Sequence, residues 1–133
     1  MDHIDRFGSS LKSILEAAIE IRDRQKNYRY STIVAIAKEY INQHYSDVGL
    51  CLANVASHVK ITPNYLSSIL SQETGESFIE YLTRIRITKA LELLNTTNMR
   101  VTDIAFAVGY QDSNYFSKIF HRITGETPSQ ARR

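Results

Sequence analysis

The feature that most constrains this chain is that part of it is written twice. Asn64-Tyr65-Leu66-Ser67 returns as Asn114-Tyr115-Phe116-Ser117, and the register holds through Ile69 with Ile119 and Thr74-Gly75 with Thr124-Gly125. These pairs stand fifty positions apart, whereas Val55-Ala56 and Val59 match Ile104-Ala105 and Val108 at a spacing of forty-nine. The second copy therefore carries one extra residue in its turn. Self-similarity of this kind marks a duplicated supersecondary unit, so the chain must build the same object twice.

The apolar positions say what that object is. In the first copy Leu52, Val55, Ala56 and Val59 follow helical spacing, then Thr62-Pro63 supplies an N-cap and a first-turn proline for a second helix. That helix buries Leu66, Ile69 and Leu70, and Gly75 closes it in a position that favours a left-handed backbone. The second copy repeats the scheme with Val101, Ile104, Ala105 and Val108, Gly109 at the turn, Asp112 as cap, and Phe116, Ile119 and Phe120 buried before Gly125. Small Ala56 and Ala105 allow the paired helices to approach closely. The change of apolar phase at each turn is the grammar of a helix-turn-helix unit.

Between the copies, Ser77 and Glu80 have capping-box spacing and open a linker helix with Phe78, Leu82, Ile85, Ala90, Leu91 and Leu94 on its apolar side, predicted to reach about Asn95. Roughly 18 residues at about 1.5 Å each make a rod near 27 Å. Successive major-groove faces on one side of DNA lie roughly 34 Å apart, so two second helices on such a rod reach adjacent grooves if the duplex bends. A short last helix begins at Thr127-Pro128-Ser129-Gln130. Ser31 is a candidate cap for a helix carrying Ile33, Val34, Ile36, Ala37, Tyr40, Ile41 and Tyr45 under the first unit. Ahead of it, Ile4, Phe7, Leu11, Ile14, Ala18 and Ile21 recur at steps of three and four, the period of a coiled-coil seam. That N-terminal amphipathic helix is a candidate homodimer contact through residues 4–21, or a surface that packs on the domain or on an absent neighbour.

The predicted fold is all-α: two helix-turn-helix subdomains, each a homeodomain-like three-helical unit, joined by a linker helix and preceded by the N-terminal helix. The division is 1–30, 31–76, 77–96 and 97–133. Five Gly and two Pro in 133 residues leave little room for a turn-rich β fold. No run of about 20 apolar residues marks a membrane span, and no basic-then-apolar export signal opens the chain, which predicts a cytoplasmic protein. Cys51 is the one cysteine and reads as a small buried apolar residue. His44, His58 and His121 lack ligand spacing, and neither a phosphate loop nor a nucleophile with partners is present, so no metal, cofactor or catalytic role is assigned.

Charge does not announce a partner. The formal net charge is +2, and from Ser46 onward nine Lys/Arg face eight Asp/Glu. DNA-binding surfaces are commonly basic, so the functional reading rests on pattern.

The ordered motifs resemble the AraC/XylS-type DNA-binding domain over roughly Ile33 to Arg133. They are Pro63-Asn64-Tyr65-Leu66-Ser67, Thr74-Gly75-Glu76-Ser77-Phe78, Tyr81-Leu82 with Arg86-Ile87 and Ala90, Ile104-Ala105, Val108-Gly109-Tyr110, Tyr115-Phe116-Ser117, Phe120, and Thr124 through Ser129. The resemblance implies a bacterial transcription regulator that binds double-stranded promoter DNA, with RNA polymerase a further candidate partner. The segment from Ala17 to Gln25, feeding into Ile33 to Tyr45, is similar to the helix preceding this domain in YesN-type two-component response regulators. That similarity implies a receiver domain ahead of Met1.

Base-reading candidates are the residues opposite each second helix's buried stripe: Asn64, Ser67, Ser68 and Ser71 in the first, Ser113, Asn114, Ser117, Lys118 and His121 in the second. Asn can pair with adenine's two major-groove groups, Lys can donate to guanine, and Ser is less selective, which puts Lys118 and Asn114 first. The family usually places a long polar or basic side chain where Ser68 and Ser71 stand, a departure that weakens the first reading helix. Lys60, Arg84, Arg86, Arg100 and Arg122 are the phosphate candidates, with Arg86 equally suited to bracing the linker helix. Tyr65 and Tyr115 are read as core residues whose hydroxyls reach backbone or phosphate. The competing function is a helix-turn-helix module that has lost DNA and serves as a protein-interaction or dimerisation domain.

Overall fold

The computed structural model describes residues 29–133, which carry seven α-helices and no strand among the described residues. Val34–Arg133 forms one compact unit. The seam expected over residues 4–21 and the segment from Ala17 to Gln25 lie outside the described residues. In chain order the helices are α1 (29–44), α2 (Leu52–Val59), α3 (Pro63–Thr74), α4 (Phe78–Thr96), α5 (Val101–Ala107), α6 (Ser113–Thr124) and α7 (Pro128–Ala131). The helix already exists at residue 29, so Ser31 lies inside α1 rather than at its start. Neither Arg29 nor Tyr30 breaks a helix, and a serine there has no turn to cap.

The duplication is reproduced atom for atom at several points. Residues 65–80 and 115–130 have the same order of buried, half-buried and exposed positions throughout. Thr74 Oγ1 donates to the Leu70 carbonyl at 2.7 Å and accepts from Glu76 N–H at 3.1 Å; Thr124 does the same with Phe120 and Glu126 at 2.8 and 3.2 Å. Ser77 and Glu80 cap α4 reciprocally, as Thr127 and Gln130 cap α7. Each such pair satisfies two backbone donors that a helix start would leave open.

Around these caps the cores close. In the first lobe α3 packs on α2 and α4, with Val55, Ala56, Leu66, Ile69, Leu70, Phe78 and Leu82 buried. In the second, α5, α6 and α7 pack with α4 over a cluster that includes Ile87, Ala90, Leu94, Ile104, Ala105, Phe116 and Phe120. The 19-residue α4 thus serves both cores, its first half in one and its second half in the other. The ring of Tyr40 on α1 is stacked between His44 and His58, at centroid distances of 4.1 and 4.3 Å.

One buried cation joins the lobes. Arg86, only 9% exposed, donates from Nε to the Tyr45 carbonyl at 2.8 Å and from Nη2 to the Asp47 carbonyl at 2.9 Å. Its guanidinium lies 5.3 Å from the ring centroid of Tyr110 in the second lobe. Gly109, at φ +103, lets the backbone pass so close that a Cβ there would stand 2.5 Å from the Tyr45 carbonyl oxygen and 2.8 Å from Arg86 Nε. Arg86 therefore braces the linker helix instead of offering these donors to phosphate: both bonds run inward to carbonyls. Leaving those carbonyls unpaired would cost about 1–3 kcal/mol each.

Cys51 also departs from expectation. It is exposed, standing just before α2, where Sγ–H and backbone N–H both donate to Asn54 Oδ1 at 3.0 Å. A residue one place ahead of a helix lies off its buried stripe, whatever its hydropathy.

Candidate nucleic-acid interface

The second helix of each unit is held by its own first turn. Thr62 Oγ1 accepts from Tyr65 N–H at 3.2 Å with Pro63 as the first helical residue, and Asp112 Oδ1 accepts from Asn114 and Tyr115 N–H at 2.8 and 3.3 Å. A carboxylate at that end also suits the helix dipole. Gly75 at φ +74 and Gly125 at φ +81 terminate the two helices. Both are 12 residues long, so each offers just over three turns of side chains.

On α3, Asn64, Ser68 and Ser71 are exposed and Ser67 is half-buried; on α6, Asn114, Lys118 and His121 are exposed, with Ser113 and Ser117 half-buried. The helical phase gathers the exposed members of each set on one face, opposite Leu66, Ile69 and Leu70 or Phe116, Ile119 and Phe120. The faces differ in charge. Pro63–Thr74 contains no Lys, Arg or His, while α6 carries Lys118, His121 and Arg122.

Two aromatic residues lie outside the core. Tyr65 is 38% and Tyr115 55% exposed, against the expected core positions. Each follows a reading asparagine by one place, about 100° round the helix, beside rather than inside the buried stripe. Their recurrence next to Asn64 and Asn114 was the available signal.

Of the other phosphate candidates, Lys60, Arg84, Arg100 and Arg122 are all exposed. Lys60 occupies the turn between α2 and α3 at φ 63, a left-handed value that its counterpart in the second turn, Gly109, adopts without a side-chain penalty. Matching bonds, Ile61 N–H to the Ala56 carbonyl and Tyr110 N–H to the Ala105 carbonyl, close both turns. Arg100 stands immediately before α5 with no capping bond from its side chain. Arg84 pairs with Glu76 at 3.0 Å, and that hydrogen bond raises its already high pKa. The pair is exposed enough to contribute little stability, so Arg84 can exchange it for a phosphate at small cost.

Burial lowers the pKa of Arg86 against the opposing pull of Tyr110 and Asp47. Burial likewise raises that of Tyr110, against Arg86 and a hydrogen bond with Thr83.

Two recognition-type helices in duplicated units on one bridge define a double helix-turn-helix protein. A family model described as "Helix-turn-helix domain" matches residues 55–133. The arabinose operon regulatory protein of Escherichia coli is 38% identical over 96 residues, 72% of this chain and 33% of that protein. The C-terminal domain of AraT, a response regulator from Geobacillus stearothermophilus, superposes with a TM-score of 0.74 at 44% identity, covering 76% of this chain and 84% of that one. That of the response regulator YesN from Fusobacterium nucleatum gives 0.72 at 31%, covering 74% and 96%. The chain belongs to the AraC-type helix-turn-helix family of DNA-binding domains. It spans about a third of the length of the arabinose regulator.

Proposed function

We propose that this chain is the DNA-binding part of a transcription regulator that lays α3 and α6 into adjacent major-groove segments of promoter DNA. The observation that carries the reading is the pair of equivalent exposed helix faces, each helix ending at a left-handed glycine, in duplicated units that both pack on α4. Asn64, Ser67, Ser68 and Ser71 read the first segment, and Ser113, Asn114, Ser117, Lys118 and His121 the second. Lys60, Arg84, Arg100 and Arg122 hold phosphates. The likeness to the AraT and YesN domains supports a two-component response regulator as the parent protein. Family membership supports a cytoplasmic, non-enzymatic role, RNA polymerase is the proposed partner in activation, and among the described residues no helix is long and apolar enough to cross a membrane.

The test is a titration of a duplex selected by the chain from a random pool. Lys118→Ala is expected to weaken the selected duplex by about 1–3 kcal/mol, with little change on unrelated DNA. Equal affinity of variant and parent removes Lys118 from the reading set. The absence of cations on α3 favours a second reading, a protein-binding module, and failure to select any duplex at low salt would favour it.

A further inference from the structure

Beside the reading face of α6 runs an open groove of about 470 Å³, lined in part by the buried Leu82, Tyr110 and Ile119 and in part by exposed side chains outside the base-reading set. Its exposed and half-buried lining comes from Ile79 and Thr83 of α4, from Tyr115 and Arg122 of α6, and from Gln111 and Asp112 just ahead of α6. Tyr115 and Arg122 fall on the same side of α6, about 100° and 80° round from Asn114, whereas Lys118 and His121 flank Asn114 itself. The groove wall is thus continuous with the proposed base-reading face and turned from it toward the other lobe.

We propose that this groove seats a phosphodiester strand of the same duplex, the one that crosses between the two major-groove segments. The inference rests on the DNA-binding reading above and extends it to the surface between the lobes. A chain held on adjacent groove segments must face the sugar-phosphate strands that separate them. The groove has the mixed chemistry such a strand needs. Arg122 and the Tyr115 hydroxyl can donate to phosphate oxygens, and Ile79, 66% exposed, together with the Tyr115 ring offers apolar surface to deoxyribose carbons. Asp112, which also lines the groove, keeps its charge but accepts two backbone N–H bonds at the start of α6, where the helix dipole offsets part of it. Arg86 also lines the groove, with its guanidinium held by the two carbonyls. Contact here specifies no base directly, but it favours sequences whose central steps bend easily into the groove.

The experiment uses the 133-residue chain and a duplex it selects, in which the phosphates between the two protected segments are replaced by neutral methylphosphonates. The parent chain is expected to bind the substituted duplex roughly five- to tenfold more weakly, and Arg122→Gln to show little further loss on substitution. Ile79→Glu, a change at an exposed position, is expected to weaken the unmodified duplex several-fold and the neutralised duplex much less. Parent affinity indifferent to the central methylphosphonates overturns the proposal, as does undiminished sensitivity in Arg122→Gln together with unchanged binding by Ile79→Glu. Failure of the parent chain to bind any duplex instead overturns the DNA-binding reading beneath it.

Discussion

Lys60 and Tyr110 show how one side chain can be judged against the backbone or the medium that holds it. A lysine at φ 63 carries a left-handed penalty of about 1 kcal/mol, which glycine would remove while adding a similar entropy to the unfolded chain. Lys60→Gly is therefore expected to leave the melting temperature nearly unchanged. If Lys60 holds a phosphate, the variant loses affinity on all sequences and about one unit of salt slope, measured by titration at several salt concentrations. Tyr110 reports burial instead. Its folded pKa is raised above the unfolded value, so its stabilising effect is complete below about pH 10 and is lost as pH climbs through the folded pKa. Tyr110→Phe should accordingly flatten the fall of melting temperature above about pH 10, and an identical fall in both proteins would assign it to other groups.

At the scale of the element, the turns separate two uses of glycine. Gly75 ends α3 in open space, with no neighbouring atom within 4 Å of where a Cβ would sit, so Gly75→Ala should cost about 1–2 kcal/mol of backbone strain alone. Gly109→Ala adds a collision with the Tyr45 carbonyl and with Arg86, and is expected to cost clearly more, about 3 kcal/mol. Chemical denaturation of both variants checks the ranking, and equal losses would mean that the joint yields freely. Helix ends such as these were legible in the sequence because caps, prolines and glycines act locally; Thr62, Ser77, Asp112 and Thr127 each cap where their spacing indicates. The flanks of the helices were not. Tyr65 and Tyr115 have the hydropathy of core residues, and only the packing of neighbouring helices decides that they stay outside.

For the whole molecule, the repeat made the architecture readable, because a duplicated pattern with one bridging helix admits few arrangements. What joins the lobes was less visible. A guanidinium on α4 suits a phosphate and a pair of carbonyls equally well, and Arg86 declares itself only when the carbonyls of Tyr45 and Asp47, about forty residues away in sequence, are brought to it. The same holds for Arg132, which bonds the carbonyls of Leu94, Thr97 and Met99 at the end of α4. Long-range closure of this kind leaves no periodic trace. It nonetheless determines whether α3 and α6 act as one reading surface. Hydroxyl-radical footprinting of the chain on its selected duplex tests that claim most directly. Two protected stretches about one helical turn apart on one face of the DNA are expected, and a single stretch, unaltered by substitutions on α3, would contradict it.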